Sequence, residues 1–227
     1  MTMRKIKWKG GIIIDGEKLN HLRFADDIVQ FASNSTKLTQ MVRELENESK
    51  KVGLPINPQK TKYGPQIKLL QELIEEVDHF LYLGQEINMR HDMSGEISRR
   101  IRAGWKCFVD MKEVLTAKLE PDIQAKIFNT TVVKTMTYGS ETWSVIKSKK
   151  ERLAVTKRAM ERRMLRFSLR DHITNDKIRN ETKVADVDEE CWRNKLRWAG
   201  HVACIRDNRW TEKIYQWYRR DIKRPPG

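Results

Sequence analysis

Asp26 and Asp27 stand side by side between two apolar, β-prone runs, Leu22-Arg23-Phe24-Ala25 before them and Ile28-Val29-Gln30-Phe31-Ala32 after them. Adjacent carboxylates in such a segment are costly to bury unless they are solvated, paired or bound to a cation. A hairpin with its tight turn at the acids resolves the conflict, because it lifts both carboxylates to a rim. There they can hold a divalent metal through oxygen, and metal-dependent phosphoryl transfer needs such carboxylates. The same dipeptide also serves as an ordinary hairpin turn, so the chemistry depends on the company it keeps.

A second group of chemically active residues is cationic. Residues 147–170 hold ten Lys or Arg against two Glu, a net of +8 within a chain net of +14. Arg158, Arg162 and Arg166 recur every four residues, opposite an apolar stripe of Leu153, Met160, Met164 and Phe167. With Arg163 and Arg170 they are candidates for contacting nucleic-acid phosphates. That much like charge on one helix repels itself and is easier to tolerate beside an anion; a solvated helix face is the plain alternative. Cys191, His201 and Cys204 carry metal-ligating groups, but their spacing fits no common zinc finger and a fourth ligand is not evident. Trp192, Leu196 and Val202 point to helix core there instead. Trp198, Trp210 and Trp217 have faces on which bases can stack, with packing of the C-terminal segment as the simpler use.

The elements that must position these groups follow from periodicity. Gly11 to Gly16 reads as a short buried strand ending in a turn, and His21–Phe24 pairs with Ile28–Ala32 around the acids. Residues 35–52 read as an amphipathic helix with Leu38, Met41, Val42, Leu45 and Val52 on one stripe, stopped by Gly53. Asn57-Pro58 is turn chemistry, Lys60–Tyr63 a strand, and Phe80–Gly84 with Gln85–Asn88 a second hairpin that bends at Gly84. After residue 92 the period becomes helical. Ile97, Ile101, Gly104, Phe108, Met111 and Leu115 trace one face, and Pro121 opens a central helix. Further helices are expected over about 148–169, 174–182 and 186–203. The class is therefore α+β to about residue 90 and helical beyond a short polar boundary at His91–Gly95.

Composition narrows the function classes. Hydrophobic residues make up 39%, enough for a core, and 33% are charged. The basic balance favours a polyanionic partner, with nucleic acid first. Three widely spaced cysteines are no disulfide framework and fit a reducing, intracellular compartment. No apolar run approaches the roughly 20 residues that span a bilayer, and Met1 to Lys9 lacks the apolar stretch of a secretory signal.

Taken in order, the motifs resemble the palm of a reverse transcriptase. Phe24-Ala25-Asp26-Asp27 looks like its catalytic hairpin, Asn57 with Lys60-Thr61-Lys62 like the next palm motif, and Phe80–Gly84 like the primer-grip hairpin. Residues 94–170 look like the helical thumb. Arg197-Trp198-Ala199-Gly200-His201-Val202-Ala203 looks like the tail of non-LTR retrotransposon polymerases of the endonuclease–reverse transcriptase type. The resemblance implies an α+β partial polymerase palm over 1–91, a helical thumb over 92–170 and a helical tail over 171–227. It implies Mg²⁺ on Asp26, with Asp27 as the neighbouring carboxylate, and Lys60 facing the phosphates of an incoming nucleotide. The implied partners are an RNA template, a DNA primer and, for the complete parent enzyme, deoxynucleoside triphosphates. Such a polymerase also needs a third acid and a triphosphate-binding region, both ahead of the acid hairpin. Asp15 and Glu17 are the only earlier acids and sit in the wrong context. Two acids from one hairpin do not surround two Mg²⁺ ions that each want about six oxygens. The expectation is a C-terminal piece of such an enzyme, shortened also after Asp221–Gly227, that lacks polymerase activity alone. The alternatives are a non-catalytic, basic nucleic-acid-binding remnant and, third, a helical interaction module.

Overall fold

Two-residue turns shape the first part of the chain. Ile12–Ile14 (β1) pairs antiparallel with Glu17–Leu19 (β2), and Asp15-Gly16 closes the hairpin with φ of 48° and 79°. Asp-Gly suits a turn whose two central residues are both left-handed. His21–Phe24 (β3) pairs antiparallel with Asp27–Gln30 (β4). Lys62–Tyr63 (β5) and Glu75–Glu76 (β6) form a short parallel pair. The structure, a computed structural model, describes residues 6, 8–64, 74–88, 90, 92–144, 147–207 and 209–216. His91, Trp217 and Asp221–Gly227, which figured in the sequence reading, lie outside the described residues.

Ser35–Lys50 forms α1. Asn34 caps it, its Oδ1 accepting from the Lys37 N–H at 2.9 Å. Leu38, Met41, Val42 and Leu45 are buried as the stripe requires. Met41 and Leu45 pack with Trp8, Ile28, Ala32 and Ile56. Val52 is exposed instead of extending the stripe, because the helix has already ended. Gly53 is left-handed at φ 75°. Its N–H bonds Lys50 O at 3.1 Å, and the Leu54 N–H reaches back to Ser49 O at 3.0 Å. This double-bonded cap favours glycine, which has no Cβ to clash. The expected strand from Lys60 shrinks to Lys62–Tyr63, because the Asn57 side chain turns the chain just before it. Its Oδ1 accepts from the N–H groups of Gln59 and Lys60 at 3.0 and 3.3 Å.

The chain divides into two compact units, Met1–Phe80 with Val202–Gly227, and Leu81–His201. His79–Tyr82 (β7) and Gln85–Asn88 (β8) pair through a Leu83-Gly84 turn, both residues left-handed. The helices follow as Ser94–Asp110 (α2), Lys112–Leu115 (α3), Pro121–Phe128 (α4), a π-helical turn at Asn129–Val133, and Lys134–Met136 (α5). Lys147–Met164 (α6), Asn175–Thr182 (α7), Val187–Ala203 (α8) and Trp210–Gln216 (α9) complete the order. The fold is thus α+β, short hairpins first and helices after. Its larger core gathers Ile97, Phe108, Phe128, Met136, Leu153 and Met160, all essentially buried. Gly104 lets α2 approach α5 closely, since a Cβ there would lie 2.4 Å from Met136 Cγ.

A buried ion cluster fixes the β7–β8 hairpin on α2. Glu96 is fully buried. Its carboxylate accepts from Arg99 at 2.8 and 2.9 Å, from Arg100 Nε at 2.6 Å and from the Glu86 N–H at 2.8 Å. Both guanidinium groups also donate to the Gly84 carbonyl, and that of Arg100 lies 4.5 Å over the Tyr138 ring.

On α8 the inward face differs from the apolar reading. Trp192 and Leu196 are 62% and 54% exposed, not core. Val202 is buried as expected, with Val187, and Cys191 packs on the core; between them polar residues take inward positions through specific partners. Glu190 pairs with Lys134, Asn194 donates to Ser140 Oγ at 3.0 Å, and Lys195 donates to the Trp143 carbonyl at 2.5 Å. Among the described residues no helix is long and apolar enough to cross a membrane.

Candidate carboxylate site and nucleic-acid interface

The acid hairpin is anchored at its base and open at its tip. Its register pairs His21 with Gln30, Leu22 with Val29, Arg23 with Ile28 and Phe24 with Asp27. That leaves Ala25-Asp26 as a two-residue loop, with Asp27 as the first residue of β4. Ile28 reaches the core beside Met41, whereas Phe24, Asp26 and Asp27 are exposed. Ala25 is left-handed at φ 51°, a conformation that costs an L-residue about 1–2 kcal/mol. Strain of this kind concentrates where a side chain must be aimed, and here it turns the chain into Asp26.

The donor set bears on which ion can be held. Two carboxylates supply a minority of the oxygens that a pair of Mg²⁺ ions takes. One Mg²⁺ that keeps several waters and takes substrate phosphates fits them well. Among the described residues no group of three or more His, Cys, Asp or Glu side chains is gathered to hold a metal. Cys191, His201 and Cys204 make no such group. Burial pushes the Cys191 thiol up to about 11, against a weaker opposing bond with Ser140, which makes it a poor nucleophile at neutral pH. Lys60 is exposed on the turn folded by Asn57, whose carbonyl also accepts from Thr61 Oγ1 at 2.8 Å.

The basic helix is narrower than its sequence implies. α6 ends at Met164, so Arg166 and Arg170 follow it rather than continue it. Arg158 is half-buried and paired with Glu151 at 2.5 Å. Arg162 is half-buried too, donating to Ile173 O at 3.0 Å and Asn175 Oδ1 at 2.9 Å. The cause is packing on two sides, by α2 and by α7. Lys157 and Glu161 are buried, 3.5 Å apart, and Thr182 of α7 donates to Glu161 at 2.9 Å. The exposed positions of α6 include Arg152, Val155 and Arg163, and Arg166 and Arg170 are exposed beyond the helix end. Arg163 stacks 4.5 Å from the Trp105 ring centre, and Arg152 donates to Ser98 Oγ at 2.9 Å. Sequence reasoning missed Arg152 because it looked for a regular four-residue spacing. The 3.6 period instead selects 152, 155, 159 and 163. Trp198 is 40% exposed, and Trp210 lies 5.2 Å from Lys213 Nζ.

A profile of the family described as reverse transcriptase (RNA-dependent DNA polymerase) matches residues 3–87. That stretch contains Asp26, Asp27 and Lys60. The chain is also 34% identical over 231 residues to a transposon-derived protein of Caenorhabditis elegans, an alignment spanning 94% of this chain and 82% of that protein. No solved structure matches the chain.

Proposed function

The chain belongs to the reverse transcriptase family, and from that membership we propose that it is the duplex-holding palm and thumb of a non-LTR retrotransposon polymerase. One observation carries the reading: the acid pair stands at the exposed tip of a strained hairpin, inside the stretch that matches the family. RNA-templated DNA synthesis is the activity of such a polymerase. Asp26 would hold Mg²⁺, with Asp27 adding negative charge beside it. When bound, the ion supplies Lewis-acid stabilisation of the charge that develops on a transferring phosphoryl group. Lys60, a cation on an exposed turn, offsets charge on the triphosphate of an incoming nucleotide. The exposed arginines Arg152, Arg163, Arg166 and Arg170 track the phosphates of the template–primer duplex. The two acids leave a two-metal site short of ligands, so the 227-residue protein does not extend primers by itself.

Purified protein with primed RNA template, Mg²⁺ and all four deoxynucleoside triphosphates is expected to give duplex binding and no extended primer. Extension products would overturn the inactivity. A second reading, a non-catalytic nucleic-acid binder of transposon origin, is favoured by the lack of a third ligand beside the acids among the described residues. The two separate on Mg²⁺. In the polymerase reading Mg²⁺ tightens the complex of protein, duplex and deoxynucleoside triphosphate, and Asp26→Asn abolishes that gain. In the second reading neither change matters.

A further inference from the structure

Between the carboxyl-terminal ends of α2 and α6 lies a groove of about 420 Å³. Phe108 and Phe167 form its apolar floor, and Lys112, Arg163 and Arg166 its rim. The three cations are exposed, Phe167 is half-buried and Phe108 is buried. We propose that this groove is a binding site for a single nucleotide, with its phosphate on Lys112 and Arg166 and its base against Phe167.

Charge is the first argument. Two helix carboxyl ends carry roughly −0.5 each. Three cations there leave a surplus of about +2 after those ends are neutralised. No acidic side chain is among the lining residues; of the acids nearest them in sequence, Asp110 and Glu113 are exposed and outside the lining, and the Asp171 carboxylate is engaged by the Ser168 N–H at 2.6 Å. A surplus of this sign beside an aromatic floor suits an anion joined to a flat apolar group. The volume lies within the roughly 300–1,000 Å³ of small-molecule sites.

The second argument is the backbone at Arg166. The end of α6 repeats the cap of α1 bond for bond. The Arg166 N–H bonds Arg163 O at 3.2 Å, and the Phe167 N–H bonds Arg162 O at 2.8 Å. On α1 the left-handed position is Gly53; on α6 it is Arg166 at φ 61°. A glycine would close the same cap without the Cβ penalty. The arginine keeps a strained backbone and places a five-donor guanidinium at the groove. One described bond engages it, a long one of 3.4 Å to the Thr116 carbonyl. Tracking a duplex backbone needs neither a concave site nor an aromatic floor, so this assignment goes beyond the thumb reading.

The test uses the full chain and two probes, adenosine 5′-monophosphate and inorganic phosphate, titrated by calorimetry. The monophosphate is expected to bind at least ten-fold more tightly than phosphate. Arg166→Gly should weaken it at least ten-fold while Tm stays the same or rises. Lys112→Gln, at an exposed position outside the cap, should cause a similar loss. Equal affinity for both probes would overturn the proposal, as would no binding of the monophosphate or unchanged affinity in both variants. A fall in Tm for Arg166→Gly would make that arginine a packing residue and would equally overturn it. A chain that binds the monophosphate but no duplex would support the groove while defeating the thumb reading.

Discussion

Replacing Glu96 by Ala should be among the most damaging single changes in the Leu81–His201 unit. The wild-type carboxylate is fully buried and accepts four hydrogen bonds, from Arg99 twice, Arg100 and the Glu86 N–H. Arg100 is 6% exposed, so removing its partner strands a charge where water does not reach. Breaking a buried pair on one side costs about 3–5 kcal/mol, whereas an exposed pair is worth about 0–1 kcal/mol. Against a typical total stability of roughly 5–15 kcal/mol, that is a large share. With an m-value of about 2 kcal/mol per molar in urea, the unfolding midpoint should fall by roughly 2 M. Glu151→Ala, which removes the exposed partner of Arg158, should move it by less than about 0.5 M on the same reasoning. Amide exchange offers a local readout, because the Glu86 N–H loses its acceptor and the β7–β8 hairpin one of its ties to α2. A midpoint for Glu96→Ala within about 0.5 M of wild type would refute the cluster as the clamp of that hairpin.

Other perturbations report on different parts of the molecule. Hydrogen bonds from Lys149 and Ser94 hold the Asp92 carboxyl near 2, below its usual 3.8. The folded-state value is depressed, so this contribution is present above about pH 4 and is lost as pH falls towards 2. Asp92→Asn should flatten that limb of an acid-unfolding curve. Gly104→Ala brings a Cβ to 2.4 Å from Met136 Cγ; overpacking of this kind costs about 1–3 kcal/mol and is read as a lower Tm. Arg152→Gln and Arg163→Gln should each weaken duplex binding and reduce the salt slope by about one unit. Arg162→Gln should leave that slope unchanged and instead loosen the segment at Ile173 and Asn175 that it holds.

α1 and most of the apolar face of α2 are legible in the amino-acid pattern because burial there follows apolar period. Leu38, Met41, Val42 and Leu45 needed only counting by 3.6. Where polar groups are buried with partners, the pattern misleads. Glu190, Asn194 and Lys195 turn α8 so that Trp192 and Leu196 face solvent. Glu96, Arg99 and Arg100 have the spacing of a surface helix pair, yet Glu96 and Arg100 are buried and all three hold a hairpin. The end of α6 was hidden for a related reason. A left-handed cap on Arg166 carries no glycine to announce it. Spacing alone makes Arg158 and Arg162 candidates for an open phosphate-facing row, because packing by α7 is a tertiary fact. At the candidate site the acids were found from residue type, while the position of Asp26 in the loop and Asp27 on the strand came only from the register.

The affinity of the 227-residue protein for a primed RNA–DNA duplex, measured over a salt series, tests the central claim most directly. Four phosphate contacts, one for each exposed arginine from Arg152 to Arg170, give a slope of log affinity against log salt near −3.6, or roughly a 100-fold loss between 50 and 200 mM. A chain that holds a template–primer duplex through these arginines should show that slope. An affinity indifferent to salt, or no binding at 50 mM, would contradict it.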